Sequence, residues 1–296
     1  MQPAPLPPRP HDAHKGVFGT VGIIGGRWTE TEIMLGAPAL AARAAFRSGC
    51  GRVIVVGPAA VVSPCLQMCS SATGVVLPLN DEAEIEADRA LGQIRQWDTS
   101  VHAWAIGPGL GAPSWGCAIV RDLFMQSGPP LVLDADGLGF LTTMDPQMVG
   151  ESCRSCILTP HPGEFDRLAQ AWSLPVCGTN PGSRIEAATA LAVACGSVVV
   201  LKGHRTVVAD GHGDHWVCDA GGPELASGGT GDVLAGVIAS LIAQGVPAEL
   251  ADTVCLGVDL HAAAGAFWRS QHGDRGILAM ELADVMPEVI QQRSRL

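Results

Sequence analysis

Residues 221–245 read GGPELASGGTGDVLAGVIASLIAQG, a glycine-rich turn that runs straight into an apolar helix with one acidic residue, Asp232, at the junction. Val233, Leu234, Val237, Ile238, Leu241 and Ile242 recur at i, i+1, i+4, i+5, i+8 and i+9, the stripe of a helix packed on a core. Gly245 and Pro247 end it. Ahead of the helix, Gly228, Gly229 and Gly231 remove three side chains. Backbone N–H groups can therefore approach an anion where the helix dipole already favours negative charge. Asp232 is the anomaly, because a carboxylate repels a phosphate bound there. Two readings are open. Asp232 is a general base that takes a proton from a substrate hydroxyl while the adjacent N–H groups stabilise a transferring phosphoryl group. Alternatively, it is one of the acidic residues favoured in any first helical turn.

Outward from this segment, apolar runs and glycine punctuation alternate from residue 20 onward, the pattern of an α/β fold. Strands are expected at 20–24, 52–56, 103–106, 131–134, from 157 and at 197–201, with helices at 37–47, 184–194, 248–268 and 278–291. Residues 207–209 and 215–218, joined by DGHGD, read as a hairpin. The charged stretch 78–100 reads as a solvated helix with its loops, or as a linker. No internal repeat or domain break is visible. The expectation is a single domain over 15–296 with a mostly parallel sheet, preceded by an extended, mobile, proline-rich tail at 1–14.

The chain of 296 residues is 47% hydrophobic and 16% charged, enough for a sizeable core. A formal charge of −11 argues against a nucleic-acid face and against an anionic membrane surface. The best membrane-span candidate, 254–267, carries Asp259 and His261, so no span is expected despite a mean hydropathy of +0.27. The N-terminus lacks the apolar segment of a secretory signal, which points to the cytosol. Ten cysteines lie singly in apolar segments and read as buried thiols. Cys153-x-x-Cys156 has no second pair to complete a zinc site.

Several strand ends carry polar or glycine-rich loops: 25–26, 107–111, 134–136, 159–164, 202–206 and 228–232. In a parallel sheet these share one edge, where open α/β sheets bind ligands. Lys202 either neutralises phosphate charge or is a solvated surface lysine. His161, between two prolines, either faces a ligand or is hydrogen-bonded within its own loop. Asp134 and Asp136 either hold magnesium through water or cap the next helix. The GPGLG turn at 107–111 lacks the lysine of a Walker loop and is weak alone.

Taken in order, GTVGIIGG (19–26), GAPALAARAAFRSGCG (36–51), AIGPGLG (105–111), LVLDADGL (131–138), LTPHPGEFDRL (158–168), VVVLKGHRTVVAD (198–210) and ASGGTGDVLAGVIASLIAQG (226–245) resemble the ADP-dependent NAD(P)H-hydrate dehydratases. The resemblance spans about residues 19–291 and implies a ribokinase-like three-layer α/β/α fold. It implies a lyase that dehydrates the S epimer of hydrated NADH or NADPH (NADHX or NADPHX) while ADP becomes AMP and phosphate, a repair of damaged cofactor. Carried over by motif, Asp232 is the catalytic base and Gly229, Thr230 and Gly231 form the anion hole. Lys202, Gly203, His204, Arg205, Thr206 and Gly231 bind the adenine nucleotide, and Ala37, Gly109, His161 and Asp232 contact the hydrate. ADP is the implied co-substrate, with Mg2+ beside it and no protein residue assigned to the metal. A homotetramer acting with a separate epimerase chain is also implied.

Three departures stand out. The family's NPGMATGGTGD appears here as GPELASGGTGD, and its HGLAGD appears as HAAAGA at 261–266, losing a carboxylate. A tyrosine usual after the first glycine pair is missing, since the chain has no tyrosine. The rival expectations are a ribokinase-like kinase of small alcohols, which shares the glycine-Asp anion hole, and a nucleotide-binding sensor without catalysis.

Overall fold

Strand β1 (Thr20–Ile24) is buried at every residue and lies between two parallel neighbours, β4 (Arg52–Gly57) and β6 (Ala103–Ile106). The computed structural model describes residues 1–80 and 85–294. Between β1 and β4 come a short antiparallel ribbon, β2 (Arg27–Trp28) and β3 (Ile33–Met34), and helix α1 (Gly36–Arg47). The chain continues through α2 (Ala59–Met68), β5 (Thr73–Val76), α3 (Ala87–Asp98), then after β6 through α4 (Ser114–Phe124) and β7 (Leu131–Leu133). Helices α5 (Asp136–Leu141) and α6 (Pro146–Gly150) precede β8 (Cys156–Leu158), and α7 (Pro162–Ala171) and α8 (Arg184–Cys195) precede β9 (Val198–Leu201). The hairpin β10 (Val207–Ala209) and β11 (His215–Val217) leads to α9 (Thr230–Ala243), α10 (Leu250–His272), α11 (Ala279–Asp284) and α12 (Met286–Arg293).

The main sheet runs β11-β10-β9-β8-β7-β6-β1-β4-β5, parallel except for the antiparallel β9-β10-β11 end. Its side chains alternate between two cores, as the period of two in a strand requires. Ile24, Trp104, Ile106, Leu131 and Leu133 face one layer, with α3, α4, α5, α7 and α8; Val21, Ile23, Ala105 and Val132 face the other, with α1, α9 and α10. Helix α9 is buried nearly all round, beyond the single stripe expected, because the sheet covers one side while α1, α10 and α11 cover the rest. Gly236 permits this packing, since a Cβ there would run into the Ala41 carbonyl of α1.

Three expectations change. Residues 1–14 are not a free tail: Gln2 N donates to Asp252 Oδ1 (2.8 Å), Ala4 is buried, and the Arg9 guanidinium lies over Phe18 and donates to Gln244 Oε1 (2.6 Å). The helix expected at 278–291 breaks at Val285 into α11 and α12, with Pro287 in the first turn of the second. Helix α10 is long and apolar enough by composition to cross a bilayer, but it packs against α9 and α12, which accounts for its apolar residues. All ten cysteines are free, yet Cys153 and Cys177 are exposed, so the 153/156 pair splits between surface and core. In the charged stretch 78–100, α3 buries Ala90 and Ile94 against the body, while residues 81–84 lie outside the described residues.

Candidate active site

The glycine turn before α9 has Gly229 at its N-cap with φ +90, a left-handed conformation that suits glycine. A Cβ on Gly229 would also press within 2.7 Å of Leu40 Cδ1. The Thr230 hydroxyl is turned back onto the Leu225 and Ser227 carbonyls (2.9 Å each) and its N–H also donates to the Ser227 carbonyl (3.4 Å), so the open donors of the expected anion hole lie beyond it. Among the described residues the N–H groups of Gly231 and Asp232 have no hydrogen-bond acceptor. The start of α9 therefore offers open donors on a positive dipole end.

Asp232 follows at once, and its carboxyl is pushed up to about 7 by burial first and by the neighbouring Asp134 carboxylate second, with Lys202 opposing. Lys202, at the end of β9, is not a solvated lysine. Its Nζ is 2.6 Å from Asp134 Oδ1 and 3.9 Å from Glu164 Oε2. Burial pulls the ammonium down, and the two carboxylates more than offset this, so it stays charged above its ordinary range. Asp134 caps no helix: Oδ1 also accepts from the Thr159 hydroxyl (2.9 Å), and the cap of α5 is Ala135 at φ 47. That positive φ on an alanine is backbone strain held at the site, and no sequence pattern announces it. Asp136 Oδ2 accepts from Gly111 N (2.7 Å) and ties the GPGLG turn to the β7 end.

Of the residues expected to contact the hydrate, Ala37 and Gly109 meet at the start of α1. A Cβ on Gly109 would stand 3.1 Å from Ala37 Cβ, and Leu40, one turn along α1, reaches Gly229. His161 is the N-cap of α7: Nδ1 accepts from Gly163 N (3.0 Å) and Glu164 N (3.3 Å), while Glu164 Oε2 accepts from His161 N (2.8 Å). Its loop holds it as a capping box, and the ring remains half exposed. Both readings of this histidine are thus compatible with one geometry.

On the other side of the nest lies a cavity of about 650 Å³ bounded by Lys202, Gly203, His204, Arg205, Thr206 and Gly231. Its further walls are Leu234, Val258 and Ala262, apolar surface suited to a base. Gly231 lines this cavity, whereas a Cβ on Gly229 would stand 3.8 Å from Asp232 Oδ2, so the glycine turn meets the cavity at one residue and the carboxylate at another. His261 Nε2 is 2.8 Å from the Thr230 carbonyl, and burial lowers its pKa to about 4, leaving a neutral ring that pins the start of α9. Arg205 pairs with Asp219 at 2.7 Å on the surface, and Thr206 Oγ1 closes its own loop on the Gly203 carbonyl (2.9 Å).

A sequence profile of the NAD(P)H-hydrate dehydratases matches residues 21–288. The chain belongs to the NAD(P)H-hydrate dehydratase family. It is 35% identical over 283 residues to the ADP-dependent (S)-NAD(P)H-hydrate dehydratase of Neisseria meningitidis, covering 93% of this chain and 86% of that one. It is 35% identical over 287 residues to a bifunctional NAD(P)H-hydrate repair enzyme of Salinibacter ruber, of whose length it spans 51%. The fold superposes with a TM-score of 0.78 on the ADP/ATP-dependent NAD(P)H-hydrate dehydratase of Bacillus subtilis, co-crystallised with ATP and Mg2+, at 30% identity over 98% of this chain and 95% of the other. The ribokinase-like three-layer architecture expected of this dehydratase family is the one observed. Two residues of the site escaped the sequence reading, Glu224 and Arg269. The only signal was an acidic residue in an otherwise small and apolar GPEL turn.

Proposed function

We propose that the chain is a lyase that dehydrates the S epimer of hydrated NADH or NADPH, consuming ADP and releasing AMP and phosphate. The supporting observation is that the glycine turn with its open N–H groups meets a nucleotide-sized cavity at one residue and a carboxyl held near 7 at another. Asp232 takes the proton of the C6 hydroxyl, whose oxygen then forms a bond to the terminal phosphorus of ADP as the bond to the AMP oxygen breaks. The nest and Lys202 meet the charge that builds on the transferring phosphoryl group. Phosphorylation converts a poor leaving group into a good one. The ring nitrogen lone pair assists departure of phosphate from C6, and loss of the C5 proton restores the C5=C6 double bond.

Magnesium is part of this reading. Among the described residues no three His, Cys, Asp or Glu side chains are grouped closely enough to cage an ion. The donor set fits an ion carried on the nucleotide phosphates and its own waters. Asp134 and Glu164 would hold such an ion through water, Asp134 by Oδ2, which faces the first turn of α9. When bound, Mg2+ neutralises phosphate charge. The reading also includes a homotetramer in the cytosol, with the S epimer supplied by an epimerase.

The decisive assay follows the near-ultraviolet absorbance of reduced nicotinamide regenerated from its hydrate with ADP, with and without Mg2+. Asp232→Asn is expected to bind ADP as the wild type does while turnover falls by about 10³-fold or more. Wild-type turnover in this variant removes Asp232 as the base. A phosphorylated alcohol accumulating from ATP, with no regenerated dihydronicotinamide, would make the protein a kinase.

A further inference from the structure

The cavity beside the nest carries three lysine or arginine side chains, and two are held by acidic partners near the loop that bears them: Lys202 by Asp134 and Arg205 by Asp219. The third, Arg269, enters from α10. Its only protein partner among the described residues is Glu224, with Nη1 3.3 Å from Oε2. The Glu224 side chain is wholly shielded from solvent, and its Oε1 has no hydrogen-bond partner. A socket is built around this pair. A Cβ on Gly222 would collide with the guanidinium, and one on Gly265 would lie 2.7 Å from Leu225 Cδ2 and 3.0 Å from Glu224 Oε1. Ala262, Gly265 and Arg269 share one face of α10 at i, i+3 and i+7, and the short turn Pro223–Leu225 is seated on it.

A buried carboxylate is costly to keep, and removing its one cationic partner is costlier. Here it fixes one planar guanidinium at the cavity wall with most of its five N–H donors uncommitted. The position along α10 indicates what those donors meet. His261 touches Thr230 at the nest, and Arg269 lies eight residues further along α10, about 12 Å at the helical rise. With the terminal phosphate on the nest, that separation matches the reach of a nucleoside diphosphate from its phosphate to its base. Leu234, Val258 and Ala262 supply apolar wall in the same cavity.

We infer that Arg269, positioned by Glu224, recognises the base of the nucleotide, donating to the ring nitrogens of a purine at the end of the cavity away from the anion hole. The inference rests on the assignment of this cavity to ADP. Glu224 is a positioning residue that acts through Arg269.

Calorimetric titration with ADP and with ribose 5-diphosphate, which keeps the phosphates and sugar but has no base, separates this role from a general one. In Arg269→Met, Kd for ADP is expected to rise by about tenfold or more while Kd for ribose 5-diphosphate stays at the wild-type value. Because that variant leaves Glu224 buried and unpaired, the double variant Glu224→Met/Arg269→Met removes both partners and is expected to show the same loss of preference for ADP. Arg269→Lys keeps the charge without the planar fork and is expected to lose preference as well. Wild-type ADP affinity in the double variant, or equal weakening of both ligands, overturns the inference. A wild-type protein that binds neither ligand overturns it together with the functional assignment. ADP affinity that depends on Arg269 in a protein unable to dehydrate the hydrate supports the inference and overturns only the assignment.

Discussion

Asp232 must be ionised to accept a hydroxyl proton, yet it sits where burial and the Asp134 carboxylate both oppose ionisation. The acid limb of kcat/KM is therefore expected near pH 7, far above the ordinary aspartate range, and a pH–rate profile measures it. Stability carries the opposite sign. The folded pKa lies above the unfolded 3.8, so the folded state binds this proton more tightly and loses stability as pH rises from about 4 through about 7. Asp232→Asn removes that penalty, so its thermal midpoint is expected to exceed the wild type's at about pH 8 and to converge with it in acid, with a gain of at most about 4 kcal/mol. At this scale the sequence was partly legible. Asp232 and Gly231 announce themselves because motif and chemistry lie within a few residues. Asp134 and Lys202 were readable as candidates but their pairing was not, because it joins the ends of β7 and β9 and is a product of the sheet order. Glu224 finds its partner on α10, forty-five residues on, where no local pattern points to it.

Helix α9 is packed on every side, and its tolerance is correspondingly small. Gly236 sits where α1 crosses, and Gly236→Ala is expected to destabilise the protein by about 2–3 kcal/mol in denaturant unfolding, because the new methyl meets backbone at Ala41. Equal stability would mean that the two helices can separate without loss. Elements whose apolar runs are bounded by glycine were readable almost to the residue, such as β1, β6 and α1. The break between α11 and α12 was not, since the amphipathic pattern continues across Val285 and Pro287 can be accommodated in a first turn. Helix α2 and strand β5 were also unread. A proline inside the helix and an exposed edge strand each blur the expected period.

Across the whole molecule, chemistry occupies the carboxyl ends of the strands, and the first ten residues bind elsewhere, over the end of α9 and the start of α10. Removing residues 2–10 is expected to lower stability by about 1–2 kcal/mol, read as an earlier urea midpoint, through loss of Ala4 burial and of the Arg9 contacts. No change in midpoint would make the arm a passive passenger. The placement of β1 bears on how the chain is made. Val21 pairs with Val53 on one side but with Ala103 on the other, so a growing polypeptide completes the β1-β4-β5 end of the sheet and then carries it unsealed until β6 emerges. During that interval the backbone amides of β1 lie bare along one border, open to pairing with another nascent chain.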